Sequence, residues 1–385
     1  MMKLNSDFKF REGKTMHKYV TIRIVYLSLA ITASFHIPAA PDELLSSDLS
    51  LDGVVNNFDL AILSDEWLET GQQYTPVTKP FPGPAELRCS QIQNLSVPPG
   101  QWSTVLDIND GPAIITNFYF TCNFLNKGRH TPIRIFFDDH NSPDIEGWTG
   151  ELFACGITEP ANFRGRYVGV TNSKNTSTEG SGEIGFSGFL RVAMPYYNSV
   201  RIDVQNTSAG TGQCNLMLER MPIDPNRLYS LGLKPGIYLK TYGFGHASNF
   251  AQNSEVTIFD SNLPTILAGI YQYFNNATSV GGGGNWDFLT GDFRIYYNGS
   301  ATDSYQSSGC EDFYNSSYKF QEGLFEYTDQ CLAMKNTYYQ LSVSRLFPLA
   351  HAPYGEEGIK LTWTVGDAGV TTGSTYLRWI IWYYQ

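Results

Sequence analysis

The sequence lacks any apolar run of 18 residues or more after its first forty positions, so no later segment is long enough to span a bilayer as a helix. It also lacks a basic cluster beyond the N-terminus. With 37 acidic against 26 Lys and Arg residues and a formal net charge of -11, electrostatic attraction to nucleic acid or an anionic membrane is excluded as a main activity. The six cysteines, Cys89, Cys122, Cys155, Cys214, Cys310 and Cys331, include no CxxC pair, which removes a zinc ribbon from consideration. Their even number is compatible either with disulfides in an exported chain or with buried thiols. No GxSxG, P-loop or dinucleotide fingerprint is present, which excludes the esterase, NTPase and nucleotide-dependent redox classes. Amphipathic helical patterns are almost absent.

What is abundant points one way. The chain holds 36 Gly, 19 Pro and 14% aromatics, with only 16% charged residues, a composition suited to many short strands joined by tight turns. From about Ala85 onward, short apolar runs alternate with Gly, Asn, Asp and Ser turns: AIITNFYFTCNF, IRIFFDD, FLRVAMPYY, VRIDVQN, FRIYYNG, YYQLSVSRLF, IKLTWTVGD and YLRWIIWYY. At this spacing the runs predict an all-β protein, two tandem jelly-roll sandwiches over 85–228 and 229–385. The division is set by Pro222, Pro225 and Pro235, which interrupt the strand pattern. Gly281 to Gly284 predicts a flexible turn, and His140, beside Asp138 and Asp139, reads as part of another.

Ahead of the sandwiches lie three segments of different character. Lys14, His17, Lys18 and Arg23 precede the apolar run Ile24 to Ile37 and then Pro38-Ala39-Ala40, the charge order of a signal peptide over 1–40, so a secreted bacterial protein is expected. Residues 74–84 are proline-rich and form an extended linker. Between them, in 41–73, the stretch from Asp48 to Asp59 has the spacing of a twelve-residue calcium loop. Asp48, Ser50, Asp52, the Val54 carbonyl, Asn56 and Asp59 fall at ligand positions 1, 3, 5, 7, 9 and 12, with Gly53 at the sharp turn. A short helical face, Leu60, Leu63 and Trp67, follows. The pattern DxSxDGxVNxxDLAIL resembles one half of a dockerin repeat, which implies structural calcium and a cohesin-type partner.

The segment Trp286 to Tyr318 carries the candidate chemistry. Adjacent carboxylates Glu311 and Asp312, set among glycines and aromatics, are the residue types that glycoside hydrolysis requires as nucleophile and proton donor. Taken alone, such a pair is more often a solvated turn.

Five landmarks in order add to this. RIFFDD (134–139), VAMPYYNSVRIDVQN (192–206), GDFRIYYNG (291–299), SSGCEDFY (307–314) and the closing WIIWYYQ are similar to segments of the family of domains of unknown function numbered 2961, which contains glycoside hydrolase family 172. The resemblance covers about 85 to 385. It implies tandem jelly rolls, assembly as a homotrimer or dimer of trimers, and retaining hydrolysis of fructofuranose or arabinofuranose linkages. Glu311 stands at the family's nucleophile position. Thr290 replaces its acid/base glutamate, at the family spacing of 311 − 290 = 21. Losing general acid catalysis costs ~10²–10⁴ in rate. Asp287 or Asp292 is then the substitute acid, Asp292 has a structural role in orienting its loop as the other reading, and Trp286 is the candidate for stacking on a sugar. Two functions follow: a carbohydrate-active hydrolase, or an impaired sugar-binding or oligomeric structural protein.

Overall fold

Val200, Ile202 and Val204 are fully buried while Arg201, Asp203 and Gln205 between them are partly exposed, the period of two expected of a strand with one face on a core. The same alternation runs through much of the computed structural model, which describes residues 87–385 apart from several short internal stretches. The signal-like segment, the calcium loop (Asp48, Ser50, Asp52, Val54, Asn56, Asp59), the linker and the Gly281 to Gly284 run lie outside the described residues.

The first jelly roll comprises β1 (Arg88–Val97), β2 (Trp102–Ile108), β3 (Ala113–Cys122), β4 (Pro132–Phe137), β5 (Ile145–Trp148), the single-turn helix α1 (Thr149–Leu152), β6 (Phe163–Arg164), β7 (Val168–Ser173), β8 (Phe186–Leu190), β9 (Met194–Tyr196), β10 (Val200–Gln205) and β11 (Gly212–Pro222). The second comprises β12 (Leu239–His246), β13 (Glu255–Ser261), β14 (Thr265–Phe274), β15 (Ala277–Ser279), β16 (Phe293–Tyr297), β17 (Tyr305–Gln306), the single-turn helix α2 (Cys310–Phe313), β18 (Phe325–Glu326), β19 (Gln330–Lys335), β20 (Leu341–Leu346), β21 (Tyr354–Gly355), β22 (Ile359–Thr364), β23 (Val370–Thr372) and β24 (Leu377–Tyr384). The protein is all-β, two jelly rolls in tandem.

The two halves repeat one topology. The first has a larger sheet in the order β1-β11-β3-β8-β7-β6, with β9 also on β3, and a smaller one, β2-β10-β4-β5. The second has β12-β24-β14-β20-β19-β18, with β21 on β14, and β13-β22-β16-β17. The match extends to an irregularity: β3 and β11 slip between Glu219 and Arg220, and β14 and β24 slip between Leu267 and Gly269, the equivalent place in each sheet. Ile135 opposes Ile145 and Ile295 opposes Tyr305, so residues of β4, β5 and α1 correspond to residues 160 positions later.

The larger sheet of the second roll is buried on both faces. Ile270, Phe274, Trp379 and Ile381 join their own core, whereas Tyr271, Tyr273, Ile380, Trp382 and Tyr384 join the core of the first roll. That explains why YLRWIIWYY is apolar nearly throughout rather than alternating. Each such side chain withdrawn from water contributes ~1.5–3 kcal/mol, so the two rolls are held as one compact unit.

Along the edge where they meet, β12 lies beside β5. The Thr241 N–H donates to the Asp144 carbonyl at 2.9 Å, and the Glu146 N–H donates to Thr241 Oγ1 at 2.8 Å. Asp138, in a turn with φ of 51°, accepts from the N–H groups of Tyr197, Asn198 and Ser199 and from the Tyr238 hydroxyl at 2.8 Å. His140 packs edge-on against Tyr238 and contacts Asp144 at 3.0 Å, so it belongs to this seam.

Candidate functional site

Gly291 sits where a Cβ would meet the Thr364 carbonyl, so only glycine lets the chain pass so close to β22 and turn from the short 3₁₀ stretch Asp287–Thr290 into β16. That passage opens a cleft of about 390 Å³, bordered by Asn253, Thr290, Asp292, Arg294, Gln306 and Ser308.

Asp292 is the carboxylate of the cleft, and it is already engaged. Arg294 Nε donates to its Oδ2 at 2.9 Å, and Gln306 Nε2 donates to the same oxygen. Burial by itself raises this carboxyl, but the hydrogen bond and positive charge of Arg294 pull against it, and it lies below the usual carboxylate range. A group so stabilised as the anion is a poor proton donor near neutrality. Reciprocally, its hydrogen bond to Asp292 raises the Arg294 guanidinium.

Thr290 borders the cleft, but its hydroxyl donates to the Asp287 carbonyl at 2.8 Å, closing the 3₁₀ turn as a local backbone cap. Trp286 lies off the cleft. Its ring is 5.7 Å from Phe288 and 5.9 Å from the Lys335 ammonium, packed against the second core.

Glu311 is buried and does not border the cleft, whereas Asp312 is exposed and accepts from the Ser308 hydroxyl at 2.7 Å. Both carboxylates fold back over Gly309, the residue before α2, with Oε2 of Glu311 3.2 Å and Oδ2 of Asp312 3.1 Å from where a Cβ on that glycine would be. This is a favourable place for anions, since the first N–H groups of a helical turn carry partial positive charge. The turn is anchored by Phe313, 4.4 Å from Phe293 and 5.1 Å from Tyr314, and by Cys310, whose thiol donates to Gln272 at 3.3 Å and is pushed up by burial.

The repeat supplies the comparison that the sequence did not. Glu311 corresponds to Glu151 of α1, since 311 − 151 = 160, the offset of the preceding strands. The local bonding agrees: Phe153 N–H to Thr149 O at 3.0 Å matches Phe313 N–H to Gly309 O at 3.2 Å, and Ala154 N–H to Glu151 O at 3.1 Å matches Tyr314 N–H to Glu311 O at 3.0 Å. Glu151 has a structural role. Its carboxylate accepts from the Trp148 N–H at 3.3 Å and forms an ion pair with Arg378 on β24. Burial raises the Glu151 carboxyl, against the pull of Arg378.

No family model and no curated protein matches the chain. Among solved structures, it is similar to viral capsid proteins. The MCP of STIV, the Sulfolobus turreted icosahedral virus, is 10% identical over 78% of this chain and 96% of that one, with a TM-score of 0.45. The major capsid protein P2 of bacteriophage PM2 is 9% identical over 77% of this chain and 97% of that one, TM-score 0.39, and VP54 of PBCV-1 is 11% identical over 81% and 94%, TM-score 0.38. At these identities the likeness is one of fold.

The retaining furanosidase expected from Glu311 with Asp287 or Asp292 is corrected: the solved structures named above are capsid proteins, a likeness of fold, and the site's own geometry does not assemble that chemistry. Within the cleft, Asp292 is held as an anion by Arg294 and Thr290 is spent on a backbone carbonyl, while Glu311, outside it, is turned into its own helical turn. The sequence reading missed Arg294 and Gln306 as the partners of Asp292. Arg294 was legible, because residues two apart share a strand face. Gln306 was not, because its approach depends on the pairing of β16 with β17. Among the described residues no group of His, Cys, Asp and Glu converges as a metal site, and no helix is long and apolar enough to cross a membrane.

Proposed function

We propose that this chain is a structural subunit, a double jelly-roll building block of a homo-oligomer, and that it does not cleave sugars. The observation that carries this reading is the equivalence of Glu311 with Glu151. The residue expected to be the nucleophile has the place and main-chain bonding of a glutamate whose work in the other half is to fix a turn and tie the two rolls together. Asp292, neutralised by Arg294, fits the same structural role.

The oligomer is a homotrimer in this reading. Export by the signal-like segment would place assembly outside the cytoplasm, and the Asp48 to Asp59 loop would hold a structural calcium ion in an appendage on the same chain. With Trp286 off the cleft, a sugar-stacking platform is not part of the proposal.

Native mass spectrometry of the purified full-length chain tests the reading. A trimer or a multiple of it is expected, together with no release of aryl alcohol from aryl fructofuranosides or arabinofuranosides. A chain that stays monomeric at every concentration would sink the proposal.

A further inference from the structure

The seam inside one chain leaves two strand edges that have no such partner among the described residues. In the seam, β12 of the second roll lies beside β5 of the first. The repeat equivalents of those strands are β1 of the first roll and β17 of the second. β1 pairs with β11 alone and β17 with β16 alone, so both are edge strands, and unpaired edges are templates for association.

The register identifies the matching residues. Thr241 faces Trp382, and Cys89 faces Glu219; Trp382 faces Gly269, and Glu219 faces Asn117, each just beyond the shared slip in its sheet. Cys89 thus corresponds to Thr241, Arg88 to Lys240 and Leu87 to Leu239. By the offset of 160, Ser304 corresponds to Asp144, Tyr305 to Ile145 and Gln306 to Glu146.

Burial then differs at the two apolar positions of this set. Leu239 is fully buried, but Leu87 is 59% exposed; Ile145 is fully buried, but Tyr305 is 37% exposed. Leu87 and Tyr305 are two of only six large apolar residues exposed among those described. Each has the position of a side chain that the seam covers.

We infer that β1 of one copy docks beside β17 of a second copy, repeating between chains the β12 and β5 seam within the chain. This rests on the oligomeric reading above and names its interface. Leu87 and Tyr305 become buried. The Cys89 N–H donates to the Ser304 carbonyl, as Thr241 donates to Asp144. The contact is head-to-tail, so it closes only as a ring of like seams, and three chains place six jelly rolls around one axis.

The test uses the full-length chain carrying Gln306→Cys, treated with a short bis-maleimide, beside the same variant with Cys89→Ser. Native mass spectrometry of the untreated wild type runs in parallel. The expected result is a trimeric wild type and covalent dimers and trimers from the first variant, lost in the second. Leu87→Asp, at an exposed position that leaves the fold intact by circular dichroism, is expected to abolish the oligomer. A trimer that neither cross-links through Cys89 nor responds to Leu87→Asp overturns this interface and leaves the oligomeric reading standing. A monomeric wild type overturns both.

Discussion

Arg378, on β24 of the second jelly roll, closes on Glu151 of the first, with Nε 2.6 Å from Oε1 and Nη2 donating to Oε2 at 3.2 Å. The carboxylate is buried and its partner is half-buried, so the pair stitches the two rolls together at the cost of desolvating one charge. Such a pair contributes more to register than to net stability. Losing one member, however, leaves a buried charge uncompensated.

Replacing Arg378 by Met is therefore expected to destabilise the chain by about 3–5 kcal/mol at neutral pH. The sign of its pH dependence follows from Glu151. Burial raises that carboxyl in the folded state, and without Arg378 it rises further, so its ionisation opposes folding increasingly above the ordinary value of 4.5. The destabilisation should shrink below that pH, where Glu151 is protonated in both states. Urea unfolding at acid and neutral pH checks this, and a pH-independent loss would contradict it.

Asp110 behaves in the opposite sense. It accepts from the Tyr196 hydroxyl at 2.6 Å and pairs with Arg220 at 2.6 Å, and these partners outweigh burial and hold its carboxyl below the ordinary value of 3.8. Its contribution is complete above that value and is lost as pH falls through the lowered one. Asp110→Asn should cost about 1–3 kcal/mol at neutral pH and progressively less in strong acid, as measured by thermal unfolding.

Thr290→Glu, which restores the family residue, should still give no furanosidase activity, because Glu311 remains folded over Gly309 and Asp292 remains paired. The substitution removes the hydroxyl bond to the Asp287 carbonyl and should lower stability by about 1 kcal/mol. Measurable turnover of an aryl fructofuranoside by this variant would restore the enzymatic reading.

Cys122 and Cys214 face each other across β3 and β11, both buried, and burial pushes their thiols up to about 11 and about 12. With so little thiolate at pH 8, iodoacetamide should leave both unmodified in the folded chain while labelling the exposed Cys89. Peptide mass spectrometry after labelling decides it, and rapid native labelling of Cys122 or Cys214 would be the contrary result.

For the calcium loop, calorimetric titration of the full-length chain should show calcium binding that Asp48→Ala and Asp52→Ala each abolish, since each removes a carboxylate from a single short ligand loop. Absence of heat with the wild type would remove calcium from the account.

Much of the fold was legible in the chain because strand signals are local. Runs such as VRIDVQN and IKLTWTVG alternate or carry β-branched and aromatic residues, and each became a strand, here β10 and β22. The two-roll organisation followed from their number; of the prolines expected to divide the rolls, Pro222 is the last residue of β11, and Pro225, Gly281 to Gly284 and the calcium loop fall outside what the structure describes. The site was less legible. Glu311 and Asp312 met the chemical requirement for a catalytic pair by residue type, but type does not say where a carboxylate points.

The sequence by itself determined the architecture, since side-chain period, turn residues and apolar runs depend only on near neighbours. Only the tertiary structure decided that Glu311 repeats Glu151, that Arg294 and Gln306 hold Asp292, and that Leu87 and Tyr305 lie exposed where Leu239 and Ile145 are covered. These relations join residues far apart in the chain, through pairing register and sheet packing. Their meaning rests on which groups meet, and that is fixed only when the whole fold closes.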